Sequence, residues 1–211
     1  MESKKYLEDI SEIKNMMSRS SRFISLSGIS GVLAGVYALI GAAFAHVRLQ
    51  QYSLIDPMEY YKRNSAPIET GLVVDLFAIA IVVMLAALVT GTILSIKKAK
   101  KSEEKIWNAS SRRLVINFFL PLLVGGIFCL VLIQYHLSAL VASTTLVFYG
   151  LACINASKYT LGDVRYMGIA FVLFGLASTQ FLGYGLYFWA IGFGLFHIFY
   201  GTLMYFKYDR K

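Results

Sequence analysis

The sequence predicts an all-α integral membrane protein: six transmembrane helices in three antiparallel hairpins, preceded by an amphipathic helix at the membrane surface. Three observations predict it. The 211 residues are 57% hydrophobic and only 15% charged, whereas a soluble chain carries roughly 25% charged residues. The apolar residues gather into six runs of 18 to 26, each near the roughly 20 that a bilayer core requires of a helix. The Lys and Arg residues also sort strongly between alternate connections. With a mean hydropathy of +0.63, the chain lacks the polar surface of a soluble enzyme. It is equally unlike a disordered tail or a disulfide-stapled secreted module.

Residues 1–22 form the first element. Leu7, Ile10, Ile13 and Met17 recur at helical spacing, with Asp9, Glu12 and Lys14 around the rest of the wheel. That pattern suits a helix lying on the inner headgroups; docking of a cytoplasmic partner is the alternative. The spans follow at 23–45, 71–96, 114–134, 137–157, 166–183 and 185–206, and residues 207–211 are a tail. Lipid offers no partner to an open backbone, so the spans must be helices or a closed barrel. Barrel strands alternate in polarity over about 10 residues. Residues 76–89 are apolar on every side, which excludes a barrel. Residues 135–136 and 183–185 leave almost no loop between the third and fourth spans or the fifth and sixth.

Orientation follows from basic residues, which favour the cytoplasmic side. Seventeen Lys and Arg flank the spans on one side, while Arg48, Lys62 and Arg63 lie on the other. Both termini are therefore expected in the cytoplasm, in a plasma (inner) membrane. The net charge of +8 reflects this sidedness and anchoring to anionic lipid; nucleic acid is not an expected partner. Ala43-Phe44-Ala45 resembles a cleavage site, but the apolar run is longer than the 7–15 residues of a signal peptide, so no cleavage is expected. The glycosylation patterns at Asn108 and Asn155 fall on the predicted inner side. Cys129 and Cys153 lie within spans without metal-ligand spacing and are expected to behave as small apolar residues.

Two patterns concern packing. Gly31 and Gly35 form GxxxG in the first span, beside a second row of Ala34, Ala38 and Ala42. Small residues at this spacing let two backbones approach closely in lipid; contact within the bundle is expected, and contact with another molecule is the alternative. Phe148-Tyr149-Gly150 recurs as Phe199-Tyr200-Gly201, each followed by Lys-Tyr, and Arg113 and Arg165 precede the corresponding outward helices. This suggests a hairpin repeat running in one direction, extended to the first pair through Arg22. Repeats in membrane folds often place a site at their interface.

Ionisable groups within spans are functional candidates by default. Asp75 and His197 are the two here. His46, Glu69, Gln134, His136 and Gln180 gather at the outer ends of spans, where they form a hydrated rim or, alternatively, a divalent-metal site. Pro121 frees the carbonyl of Asn117, either lining a cavity or finding a donor on a neighbouring helix. The connection 46–70 is the one long loop, with Tyr52, Tyr60 and Tyr61 at headgroup level and a turn at Asp56-Pro57. No phosphate loop, nucleophile elbow or zinc-protease motif is present, so no catalytic residue, cofactor or resident metal is expected.

Residues 18–35, SRSSRFISLSGISGVLAG, resemble the start of uncharacterised bacterial six-span membrane proteins. That resemblance implies a bacterial inner membrane and no particular activity. Ala34, Ala38 and Ala42, with the long first outer loop, are similar to the substrate-capture subunits of energy-coupling-factor vitamin transporters. Those subunits are small six-span bundles with an AxxxA ladder in the first span. The expected function is that of a non-enzymatic regulatory or assembly component acting through helix contacts. Its partners would be membrane lipid and a second copy or another membrane protein. A small-solute transporter or substrate-binding subunit is the alternative.

Overall fold

A computed structural model describes residues 6, 26–51, 70–102 and 106–210. Six apolar helices carry most of the described residues, and no strand occurs among them. They are α1 (Gly28–Gln51), α2 (Thr70–Lys101), α3 (Ala109–Gln134), α4 (Val141–Ala156), α5 (Val164–Ser178) and α6 (Gly185–Asp209). Tight 3-10 turns at Ser138–Leu140 and Ser157–Tyr159 extend α4 at both ends. Within α6 the coil widens to π geometry at Ala190–Phe196 and again at Tyr205–Asp209. Counting α4 with its flanking turns, five helices among the described residues are long and apolar enough to cross a membrane. This is the architecture of a multi-pass helical protein. α5 has 15 residues, about 22 Å at 1.5 Å per residue, and falls short of a bilayer core by itself.

Helix ends depart from the apolar runs where polar residues continue the backbone hydrogen bonding. α1 passes beyond Ala45 to Gln51, and α2 runs to Lys101. Hydropathy marks where side chains turn polar, whereas a helix ends where its backbone finds another partner. The start of α3 shows such a partner. Asn108 Oδ1 accepts from Ser111 N at 2.8 Å, and Asn108 N donates to Ser111 Oγ at 2.8 Å, a reciprocal cap of the first turn. The α3–α4 reversal places His136 in the left-handed region at φ 58°. α5 stops at Ser178 rather than running to residue 183, and Gly183 at φ 92° turns the chain into α6. The N-terminal amphipathic segment and the connection 52–69, with Glu69, lie outside the described residues, Tyr6 excepted.

Residue contacts give the helix directions. Arg48 meets Asp75 and Tyr37 meets Thr90, so α1 and α2 are antiparallel. Asn117 meets Asn155 while Gly125 meets Phe148, which sets α3 against α4. Gly150 lies on Gly168 and Gly175 on Val147 across α4 and α5. Gly28 lies on Tyr205 and Gly35 on Gly194 across α1 and α6. α4 and α6 run parallel, with Gly185 beside Ala142, Gly192 beside Leu146 and His197 beside Tyr149. The closest packing thus includes α4 with α5 and α1 with α6, across the boundaries of the expected hairpins. α5 and α6 stand further apart and meet chiefly through the rings of Phe171, Phe174, Phe188, Phe193 and Phe196.

Candidate functional site

The polar interior of the bundle centres on Tyr149 of α4 and His197 of α6. Tyr149 Oη lies 2.6 Å from His197 Nε2. Around them the rings of Phe171 and Phe193 stand 4.8 Å and 5.1 Å from Tyr149, and Phe171 stands 5.3 Å from His197. His197 is only 8% exposed. It follows directly on the first π segment, whose wider turn places the imidazole beside the Gly192 and Phe193 carbonyls. Either group can donate in this pair, according to the tautomer of the imidazole. Neither Nδ1 nor the buried Tyr200 Oη, one turn further along α6, completes a hydrogen bond among the described residues. The π form is rare and concentrates at functional sites, and buried polar atoms are normally paired. Two orphan polar atoms on one face of α6 mark this as the polar focus of the fold.

At the end of the bundle that carries the span-flanking basic residues, two carboxylates organise the helix ends. Asp209 Oδ2 accepts from Gly28 N at 2.8 Å and from Ser27 Oγ at 3.3 Å, capping α1 from the far end of the chain. A carboxylate there satisfies a free amide and complements the helix dipole. Lys98 of α2 joins it, with Nζ 2.5 Å from Asp209 Oδ1 and 2.8 Å from the Leu26 carbonyl. One cluster thereby ties α1, α2 and α6. Asp163, preceding α5, accepts from Lys207 Nζ at 2.5 Å and Tyr208 Oη at 2.8 Å. The Lys207 hydrogen bond holds the Asp163 carboxyl below its ordinary value. This pair borders an open groove of about 520 Å³ with walls of Tyr166, Tyr200, Leu203, Met204 and Phe206.

The sequence-predicted residues are dispersed. Asp75 is held by Arg48, through Nε at 2.9 Å and through Nη2, and Arg48 Nη1 reaches Gln51 at 2.5 Å. The pairing exists because α1 continues past Ala45 and carries Arg48 alongside α2. His46 meets the ring of Tyr187 edge-on at 6.3 Å. Gln134 and His136 are exposed at the α3–α4 turn, and Gln180 bonds its neighbour Thr179 at 3.1 Å. Among the described residues no three His, Cys, Asp or Glu side chains converge as a metal site would require. Asn155 Nδ2 donates to the Asn117 carbonyl at 3.1 Å, supplying a donor to the group that Pro121 releases. Asn117 Nδ2 itself bonds the Arg113 carbonyl at 2.8 Å.

Gly31 and Gly35 face α6, where an added Cβ would lie 3.1 Å from Gly201 Cα and 2.6 Å from the Gly194 carbonyl. Ala38 and Ala42 are buried in the same helix, whereas Ala34 is half-buried. Cys129 and Cys153 are buried free thiols. Sequence reasoning did not select Tyr149, Asn155, Asp163 or Asp209. A tyrosine in each repeated Phe-Tyr-Gly and a carboxylate beside each of two span ends were the available signals. No family model, curated protein or solved structure matches the chain.

Proposed function

We propose that this chain is a non-enzymatic, multi-pass membrane component that regulates or assembles with other membrane polypeptides through lipid-embedded helix contacts. The reading takes all six apolar helices as spans in antiparallel succession, the short α5 crossing with its flanking turns. Both termini are cytoplasmic and the membrane is a bacterial inner membrane. The sidedness of the Lys and Arg residues supports the orientation. The N-terminal amphipathic segment then lies on the inner surface, where it adds contact with anionic lipid.

The observation that carries the helix-contact reading is the position of α2. Its most apolar stretch is 6% buried, against 39% for α4, and among the described residues its close helix packing is on α1. Asp75, the one acid within that helix, is matched by Arg48, so α2 presents a continuous uncharged face. Helix association in lipid comes from close packing rather than from a hydrophobic driving force, and α2 is the least buried of the five long helices. Photo-crosslinking residues placed at Val82 and Leu85, both exposed on α2, test this in native membranes. Discrete protein adducts are expected from at least one position. Lipid adducts alone at both positions would overturn the reading. A cysteine in residues 52–69 should react with an impermeant maleimide from outside intact cells; reaction only in inside-out vesicles reverses the orientation.

A further inference from the structure

The seam between α5 and α6 is filled unevenly along its length. Over one part the rings of Phe171 and Phe174 on α5 meet those of Phe188, Phe193 and Phe196 on α6, with centroids 4.9 to 5.8 Å apart. At the end that carries the basic residues, Asp163 accepts from Lys207 and Tyr208 and ties the start of α5 to the last turns of α6. The groove of about 520 Å³ lies between these two fastenings, with Tyr166 on one side and Leu203, Met204 and Phe206 on the other. Its lip is the second π segment of α6, Tyr205–Asp209, a rare form that concentrates at functional sites.

The walls and the mouth of the groove together select an occupant. With the helices taken as spans, the walls lie in the hydrocarbon and the mouth at headgroup level. Water held there would need two or more polar partners, which the apolar walls do not supply, so the walls suit an acyl chain. The mouth suits a phosphate. Lys207 is exposed beside Asp163, and Arg210 is exposed with its guanidinium 5.5 Å from the centre of the Phe206 ring. Arg165 is exposed next to Tyr166 in the first turn of α5. Asp163 is the one carboxylate that borders the groove. Asp209, on the same turn as Arg210, is held by Lys98 and the start of α1. Three cations against one carboxylate leave a positive surplus, which attracts an anionic headgroup. A second copy offers no matching charge among the described residues, because its acids at this end, Asp163 and Asp209, are already engaged.

We propose that this groove binds one anionic phospholipid, with an acyl chain between Tyr166 and Leu203 and the headgroup phosphate on Lys207 and Arg210. The volume falls within the ~300–1,000 Å³ of small-ligand sites, and the guanidinium fork of arginine matches phosphate oxygens. The lipid fills the part of the seam that the rings leave open. It thereby joins α6 to α5, the helix too short to cross a bilayer core by itself. The proposal uses the spans but not α2, and so goes beyond the helix-contact reading.

The test is lipid retention by the full-length chain, delipidated in detergent and offered equal amounts of phosphatidylglycerol and phosphatidylcholine with matched chains. Native mass spectrometry counts the bound lipids. One phosphatidylglycerol should be preferred by roughly twentyfold, at about fivefold for each of the two surplus cations. Lys207→Gln and Arg210→Gln should each lower that preference by about fivefold, and Asp163→Asn should raise it by a similar factor. Asp163→Asn and Lys207→Gln break the same ion pair, so a loosened structure would move both in one direction. Leu203→Trp fills the groove from an exposed position and should abolish the retained lipid while the lipid-free chain keeps its thermal midpoint. Equal retention of the two lipids, a fall with both Asp163→Asn and Lys207→Gln, or retention unaffected by Leu203→Trp overturns the site. Displacement by glycerol phosphate as effective as by a diacyl lipid makes it an anion site without an acyl chain, which also overturns it. Lipid adducts alone from the crosslinkers on α2 would remove the helix-contact reading and leave this site standing.

Discussion

Gly201 and Gly91 are each followed by threonine and, six residues on, by lysine, yet among the described residues one is enclosed by backbone and the other faces open space. The same contrast separates two regions of the molecule. At the α1–α6 and α4–α5 seams, glycines admit a neighbouring main chain, and the large rings fill the wider space between α5 and α6. At α2 and α3 the helices meet one principal neighbour each and present long rows of Val, Leu, Ile and Phe outward. A small residue in a membrane helix is thus permission for close approach and not a contact in itself. Whether the permission is used depends on what stands opposite.

Substitution at the two glycines would break the comparison most directly. Gly201→Leu drives a side chain into the backbone of α1, and overpacking of this kind should cost about 3 kcal/mol or more. Loss of monodisperse folded protein in detergent, or a large drop in the thermal midpoint, is the expected result. Gly91→Leu should leave folding intact or raise stability by up to about 1 kcal/mol, because a helix-interior glycine is replaced by a better helix former. Equal destabilisation by both would remove the distinction between the seams.

The two ends of the bundle sharpen it at a smaller scale. Asp209 is 10% exposed at its side chain and Lys98 22%, whereas Arg48 and Asp75 are 38% and 36% exposed. Asp209 also caps α1, so Asp209→Ala leaves Gly28 N without its acceptor and Lys98 with the Leu26 carbonyl in place of an ion pair, and should cost about 2 kcal/mol. Asp75→Ala removes a better-solvated pair and should cost less than about 1 kcal/mol. Thermal unfolding of the two variants in one detergent gives the ordering, and a larger effect of Asp75→Ala would reverse it.

The smallest expected effect is the acid response at Asp163. Its folded carboxyl titrates below the ordinary 3.8 because Lys207 donates to it. The stabilisation is therefore fully present above that value. It is lost as pH falls from 3.8 through the lower folded value. Asp163→Asn should remove this part of the acid slope while leaving the slope at neutral pH unchanged. Unfolding midpoints measured from about pH 6 down to about pH 3 provide the check.

The apolar runs placed six helices close to where they stand, because the length and polarity of a membrane helix are written locally. Their ends were less legible. Arg48 reads as a loop residue by hydropathy, yet α1 carries it alongside Asp75. The release of the Asn117 carbonyl by Pro121 was legible, but its donor, Asn155, lies 38 residues away. His197 was visible as an ionisable residue in a span, whereas Tyr149 was only part of a repeated triplet until the parallel pairing of α4 and α6 set its hydroxyl 2.6 Å from the imidazole.

The sequence by itself determined an all-helical, strongly apolar chain with basic residues sorted between its connections. Those properties follow from composition and local order along the chain, which no fold has to supply. The tertiary structure alone decided which glycines meet a backbone and which carboxylate caps which helix. It also decided that α2 and α3 stand at the margins. In each case the reason is physical: these outcomes depend on the distance between groups far apart in sequence. Glycine, aspartate and tyrosine have the same local signature whether or not a partner lies opposite.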